Sequence, residues 1–170
     1  KRSYYLEINQ SQRLIRTEGS GSSCPLLILH GEMETGASVK ENQKMLAHSR
    51  SVIALDIAGT GFSEPLNKCS DLNDYYMDLL SILKKIGEDE YAIMAHGGSA
   101  ALAFSLAFNC PQMVSSIILD SPIIPSLPEI SMLVSRIAPP FVPNSEGTHL
   151  LEAWHVLRDR QMFWPWYSRK

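Results

Sequence analysis

The sequence contains no apolar run close to the roughly 20 residues that cross a bilayer. Its opening segment, KRSYYLEINQ, has no signal-peptide core. A membrane partner is therefore not expected. Basic clusters are missing too: 15 Lys and Arg are interspersed with 18 Asp and Glu, for a formal charge of -3. Nothing favours a nucleic acid or an anionic lipid surface as partner, which leaves a small molecule or another protein. Cysteine is scarce. Cys24, Cys69 and Cys110 are odd in number and widely spaced, which excludes the paired spacing of a zinc site or a redox motif and predicts reduced thiols in a cytoplasmic setting. There is no internal repeat or low-complexity tract. An initiator Met is also lacking and the chain ends on Arg-Lys, so a piece of a longer protein is expected. What is present is a 170-residue chain that is 45% hydrophobic, enough for one domain with a core of its own.

Strand and helix signals alternate along the chain. Tyr4 to Ile8 and Arg13 to Arg16, joined by Asn9 to Gln12, predict an antiparallel hairpin. Pro25 to Leu29, Val52 to Leu55 and Tyr91 to Met94 are short continuous apolar runs, as expected for strands buried on both faces of a parallel sheet; Ser116 to Leu119 predicts a fourth. Between them a polar helix is expected from Ser38 to His48, an amphipathic one around Leu72 to Ile86 with Asp71 and Gly87 as caps, and a buried one from Ala100 to Phe108. This alternation predicts an α/β fold, a three-layer sandwich around a mostly parallel sheet, with functional residues at the carboxyl ends of the strands. After Pro122 the composition changes to scattered prolines, an amphipathic helix from about His149 to Met162, and the aromatic run Phe163 to Tyr167. Domains of residues 1–122 and 123–170 follow.

The strand ends carry the unusual residues. In Ala95-His96-Gly97-Gly98-Ser99 a strand runs into a helix through a tight glycine turn, which lifts one residue above the sheet toward a substrate. Either Gly97 or Ser99 has small enough flanking residues to be the apex. The apolar run stops just before Gly97, which places Ser99 in the first helical turn, where its hydroxyl would cap backbone N–H groups. His96 reads as a general base or, more simply, as a buried histidine bonded to backbone. In His30-Gly31-Glu32-Met33 the N–H of Glu32, with that of Gly98, could form an oxyanion hole beside Gly31; an ordinary loop is the alternative. Asp56 to Ser63 has glycines but no Lys-Ser/Thr, so it predicts a turn fixed by Asp56 rather than a phosphate loop. Asp120 could orient a histidine, although no later strand supplies one. Trp154 could wall an apolar pocket or pack a cap onto the core. No metal or cofactor is implied.

Taken in order, Leu27 to Gly31, the D-x-x-G-x-G-x-S pattern of Asp56 to Ser63, Ala95 to Ser99 at the nucleophile elbow, and Asn109 to Pro122 resemble the α/β-hydrolase superfamily, in its capped branch of esterases, epoxide hydrolases and haloalkane dehalogenases. The resemblance implies an N-terminal core plus the start of a helical cap, truncated before the last strands. It also implies hydrolysis of small apolar ester-like substrates by ancestry. Its register, counted from Gly97 to Pro111, gives Gly97 the nucleophile position, Ser99 the small flanking one and Asp120 a candidate acid role. A glycine there implies a pseudoenzyme that binds a ligand or a protein without turning it over, a hydrolase that uses water, or a substitution in an otherwise active serine or aspartate enzyme. Substrate contacts are expected at Gly31, His96 and Trp154 and at the Glu32 and Gly98 N–H groups. The partners expected are a small apolar ligand or substrate and, at the exposed edge of the fourth strand, the missing C-terminal half or another subunit.

Overall fold

The computed structural model describes residues 1–21, 24–66, 71–123 and 144–163. The chain divides into two compact units, Lys1–Ile124 and Pro125–Lys170. The first unit is built on a six-stranded sheet in the order β1-β2-β4-β3-β5-β6.

β1 (Arg2–Ile8) and β2 (Ser11–Glu18) form the antiparallel hairpin. Its connection is shorter than the expected four residues. Only Asn9 and Gln10 turn the chain, both with positive φ (49° and 67°), a backbone whose twist matches that of the flanking strands. Ser11 and Gln12 pair with Ile8 and Glu7 instead. β2 then pairs antiparallel with β4 (Val52–Leu55), while β3 (Leu26–Leu29) lies parallel between β4 and β5 (Tyr91–His96).

Alternation along these strands separates two apolar layers. Leu27, Leu29, Ile53, Leu55 and Ile93 face α2 (Leu72–Ile86) and α3 (Ala100–Asn109), packing on Leu79, Leu83, Leu102 and Leu106. Leu26, Ile28, Val52 and Ala54 face the other way, toward Val39 and Leu46 at α1 (Lys40–Leu46). The fold is thus the expected three-layer sandwich with a mostly parallel sheet. α2 has the expected ends: Asp71 accepts from the Asp74 N–H in a capping box, and Gly87 closes the helix in the left-handed conformation (φ 84°). α1 is shorter than expected, because turns occupy the residues up to Val39.

β6 (Val114–Asp120) departs from the expectation of a strand buried on both faces. It is the outermost strand, and its alternate residues are exposed, Ile118 at 53%. Phe104 and Phe108 of α3 are exposed as well.

In the second unit α4 (Thr148–Phe163) is the described element, with Leu150, Leu151 and Trp154 exposed. The proline-punctuated segment 125–143, the aromatic residues 164–167 and Cys69 lie outside the described residues. Among the described residues no helix is long and apolar enough to cross a membrane, and Cys24 and Cys110 are free thiols.

Candidate functional site

β5 ends at His96, and the chain turns at once through a single 3-10 turn, Gly97–Ser99, into α3. Gly97 sits at this bend with φ 59°, the left-handed backbone that L residues with a Cβ adopt only under strain. Its carbonyl accepts from the Ile123 N–H at 3.2 Å, which ties the segment after β6 to the turn. Ser99 is buried, and its hydroxyl hydrogen is shared between the Leu29 carbonyl (3.0 Å) and the His96 carbonyl (2.8 Å). It makes no side-chain capping bond. The hydroxyl fastens the elbow to β3 instead of capping the N–H groups of the helix, and both bonds direct it into the sheet.

His96 is half-buried, and its side chain is not bonded to backbone. The β5–β6 register sets His96 beside Asp120, and Nδ1 lies 2.9 Å from the Asp120 Oδ2. This bond, together with one from the Ser121 hydroxyl at 3.1 Å, holds the Asp120 carboxyl below its ordinary range. On the other side, His96 Nε2 is 3.9 Å from Glu34 Oε1. Glu34 in turn accepts from the Gly31 N–H at 2.9 Å through its second oxygen. A Cβ on Gly31 would stand 2.5 Å from His96 Cδ2, so the glycine there leaves room for the imidazole.

Glu32 reaches over the elbow. A Cβ built on Gly97 would come within 2.5 Å of the Glu32 Oε2, and one on Gly98 would collide with Oε1. Met33 just after it has φ 59°, an uncommon conformation for a residue with a side chain, and it lies in this same loop.

The floor is fixed by buried polar groups. His30 is 2% exposed; its Nε2 accepts from the Ile57 N–H (3.1 Å), which leaves Nδ1 to donate to the Gly31 carbonyl (2.9 Å). Asp56 is fully buried and accepts from Arg16 Nη1 (2.5 Å) and Nη2 (3.1 Å), the Gly36 N–H (2.7 Å) and the Phe62 N–H (2.9 Å). Burial alone would raise this carboxyl, but the Arg16 and backbone bonds outweigh it and hold it below its ordinary value. Asp56 fixes the turn to Ser63, as its sequence suggests, and the Ser63 hydroxyl closes that turn on the Asp56 carbonyl.

The structure therefore gathers Gly31, Glu32, His96, Gly97, Gly98 and Asp120 at one end of the sheet. Trp154 belongs to α4 in the second unit and is exposed there. Two features escaped the sequence. The Asp120 partner is His96, which precedes it in the chain. The other is Glu34, an acid three residues past a strand-ending glycine, the kind of residue that closes such a loop through a backbone N–H. Among the described residues no cluster of His, Cys, Asp and Glu is arranged to hold a metal.

Comparison with known proteins bears on the family and the fold. Residues 23–164 match the family described as Serine aminopeptidase, S33. The chain is 29% identical over 102 residues to the soluble epoxide hydrolase of Corynebacterium sp. (strain C12), an alignment covering 59% of this chain and 36% of that protein. It is 30% identical over 105 residues to the proline iminopeptidase of Heyndrickxia coagulans, covering 61% and 36%. The epoxide hydrolase VrEH1 from Vigna radiata superposes with a TM-score of 0.74 at 16% identity, over 95% of this chain and 57% of that structure. The chain thus spans about a third of the curated relatives and just over half of the solved structure.

Proposed function

This chain belongs to the serine aminopeptidase S33 family of the α/β-hydrolase superfamily, and from that premise we propose that its site cleaves small apolar ester-like substrates by direct attack of water, without a covalent acyl-enzyme. The observation that carries this reading is Gly97 at the apex of the elbow, with the Ser99 hydroxyl bonded down to the Leu29 and His96 carbonyls. A covalent route needs a nucleophilic atom at the apex, and glycine supplies none. In this reading the N–H groups of Glu32 and Gly98 hold the substrate carbonyl oxygen as it becomes an oxyanion. Among the described residues the Glu32 N–H has no acceptor. In the same reading the open edge of β6 is covered, by further chain of the full-length protein or by another subunit.

The test uses the full-length protein with 4-nitrophenyl butyrate and a fluorophosphonate probe. Saturable ester turnover is expected without covalent labelling, and labelling should appear at position 97 once Gly97→Ser is introduced. Labelling of the unmodified protein at Ser99 would overturn the reading. The same apex glycine favours one other role, a ligand-binding protein that no longer hydrolyses; saturable binding of an ester with no turnover would select it.

A further inference from the structure

The space above the elbow that an apex side chain would fill holds the Glu32 carboxylate: Oε2 stands 2.5 Å from the Cβ position of Gly97, and Oε1 overlaps that of Gly98. Glu32 comes from a different strand end, the loop after β3. Its neighbour Met33 bears a left-handed backbone (φ 59°), a conformation that costs a non-glycine residue about 1–2 kcal/mol. Strain of this kind persists where the surrounding structure imposes it, and it clusters at functional sites.

The nearby acids are engaged and Glu32 is not. Asp120 is bonded to His96 and Ser121, Glu34 to the Gly31 N–H, and Asp56 to Arg16 and two backbone N–H groups. Among the described residues the Glu32 carboxylate has neither a hydrogen-bond nor an ion-pair partner. It is solvent-exposed, so its lone pairs are open to water. His96 has Nδ1 on Asp120, and its Nε2, 3.9 Å from Glu34 Oε1, has no hydrogen-bond partner among the described residues; Glu32, not His96, is the group whose reactive atoms stand directly over the apex.

We propose that the Glu32 side chain takes over the apex and serves as the general base that activates the hydrolytic water. The inference rests on the water-attack reading above. The Glu32 carboxylate removes a proton from a water molecule as the water oxygen forms a bond to the ester carbonyl carbon. The carbonyl π pair moves onto its oxygen, facing the Gly98 N–H. When the tetrahedral species collapses, the C–O bond to the alcohol breaks and the departing oxygen takes the proton from the Glu32 carboxylic acid. One ester and one water give one acid and one alcohol, and Glu32 returns to its carboxylate.

The full-length protein, its Glu32→Gln variant and its Glu32→Ala variant are compared with 4-nitrophenyl butyrate, with the melting temperature as the check on folding. Glu32 is exposed and has no partner among the described residues, so neither variant should lose its fold. Removal of a general base is expected to lower kcat by about 10²–10⁴-fold, with KM changed less than threefold. Added formate should restore part of the Glu32→Ala rate by supplying a carboxylate to the emptied apex. A Glu32→Gln kcat within about tenfold of the unmodified protein would overturn the role of Glu32 while leaving the hydrolase reading intact. No rescue of Glu32→Ala by formate would equally count against it. Absence of any turnover in the unmodified protein would overturn the hydrolase reading, and the proposal with it.

Discussion

Replacing Asp56 by Asn tests how the site is held. Asp56 is fully buried at the end of β4 and its two oxygens receive both Arg16 nitrogens, the Gly36 N–H and the Phe62 N–H. Asparagine keeps the shape but turns one of these acceptors into a donor, so an N–H group meets either Arg16 Nη1 and Gly36 N or Arg16 Nη2 and Phe62 N. It also strands the Arg16 charge, whose side chain is only 12% exposed. Breaking a buried pair by removing one partner costs about 3–5 kcal/mol. At about 2–4 °C per kcal/mol for a domain of this size, the melting temperature should fall by roughly 6–20 °C. Urea unfolding followed by circular dichroism measures the difference directly. The pH dependence has a definite sign. The folded-state carboxyl is held below its ordinary value, so its contribution is complete above the unfolded value of about 3.9 and is lost as pH falls through the depressed folded one. The stability gap between the unmodified protein and Asp56→Asn should therefore be widest near neutrality and narrow in acid. A gap under 1 kcal/mol at pH 7, or one that stays constant below pH 4, would refute the reasoning.

Arg13 and Asp78 form a second buried pair, bidentate at 2.8 Å for both bonds. Asp78→Leu alone should cost about 3–5 kcal/mol in urea unfolding, whereas Arg13→Met with Asp78→Leu should recover most of that loss; equal losses in the single and double variants would refute it. At the far side of the sheet, the edge of β6 with Ile118, Phe104 and Phe108 exposed should make the 170-residue chain self-associate or melt without cooperativity. Sizing and a thermal scan read this, and a cooperative, monomeric melt would count against a covering partner.

The sheet was legible in the sequence because strands buried on both faces must be apolar throughout. Pro25 to Leu29 and Val52 to Leu55 could be little else, and the caps Asp71 and Gly87 marked α2 by chemistry that acts within a turn. The exposed face of β6 is not legible for the converse reason: Ile117, Ile118 and Leu119 are as apolar as the central strands, but burial depends on a neighbour that apolar character does not supply. In the site, the glycine turn could be placed because strand end, small residues and helix start are all local. The His96–Asp120 bond could not, because it depends on a β5–β6 register that contains an irregularity between Tyr91 and Ala92. The approach of Glu32 to the side-chain space of Gly97 and Gly98 joins loops after two separate strands, a contact that no local pattern encodes.

That approach makes the apex glycine and the Glu32 carboxylate two parts of one arrangement. A side chain at position 97 and the carboxylate in its present place exclude each other, since 2.5 Å is well inside contact distance. The obstacle is the far end of a flexible, exposed side chain, so Gly97→Ser could displace Glu32 at little cost in contact energy. Its main cost is backbone strain at φ 59°, about 1–2 kcal/mol, which glycine does not incur. A serine at the apex would thus introduce a nucleophile, strain the turn and remove the carboxylate from above it in a single step. The space above the elbow admits one group at a time, and with glycine at its tip that group is the Glu32 carboxylate from the neighbouring loop.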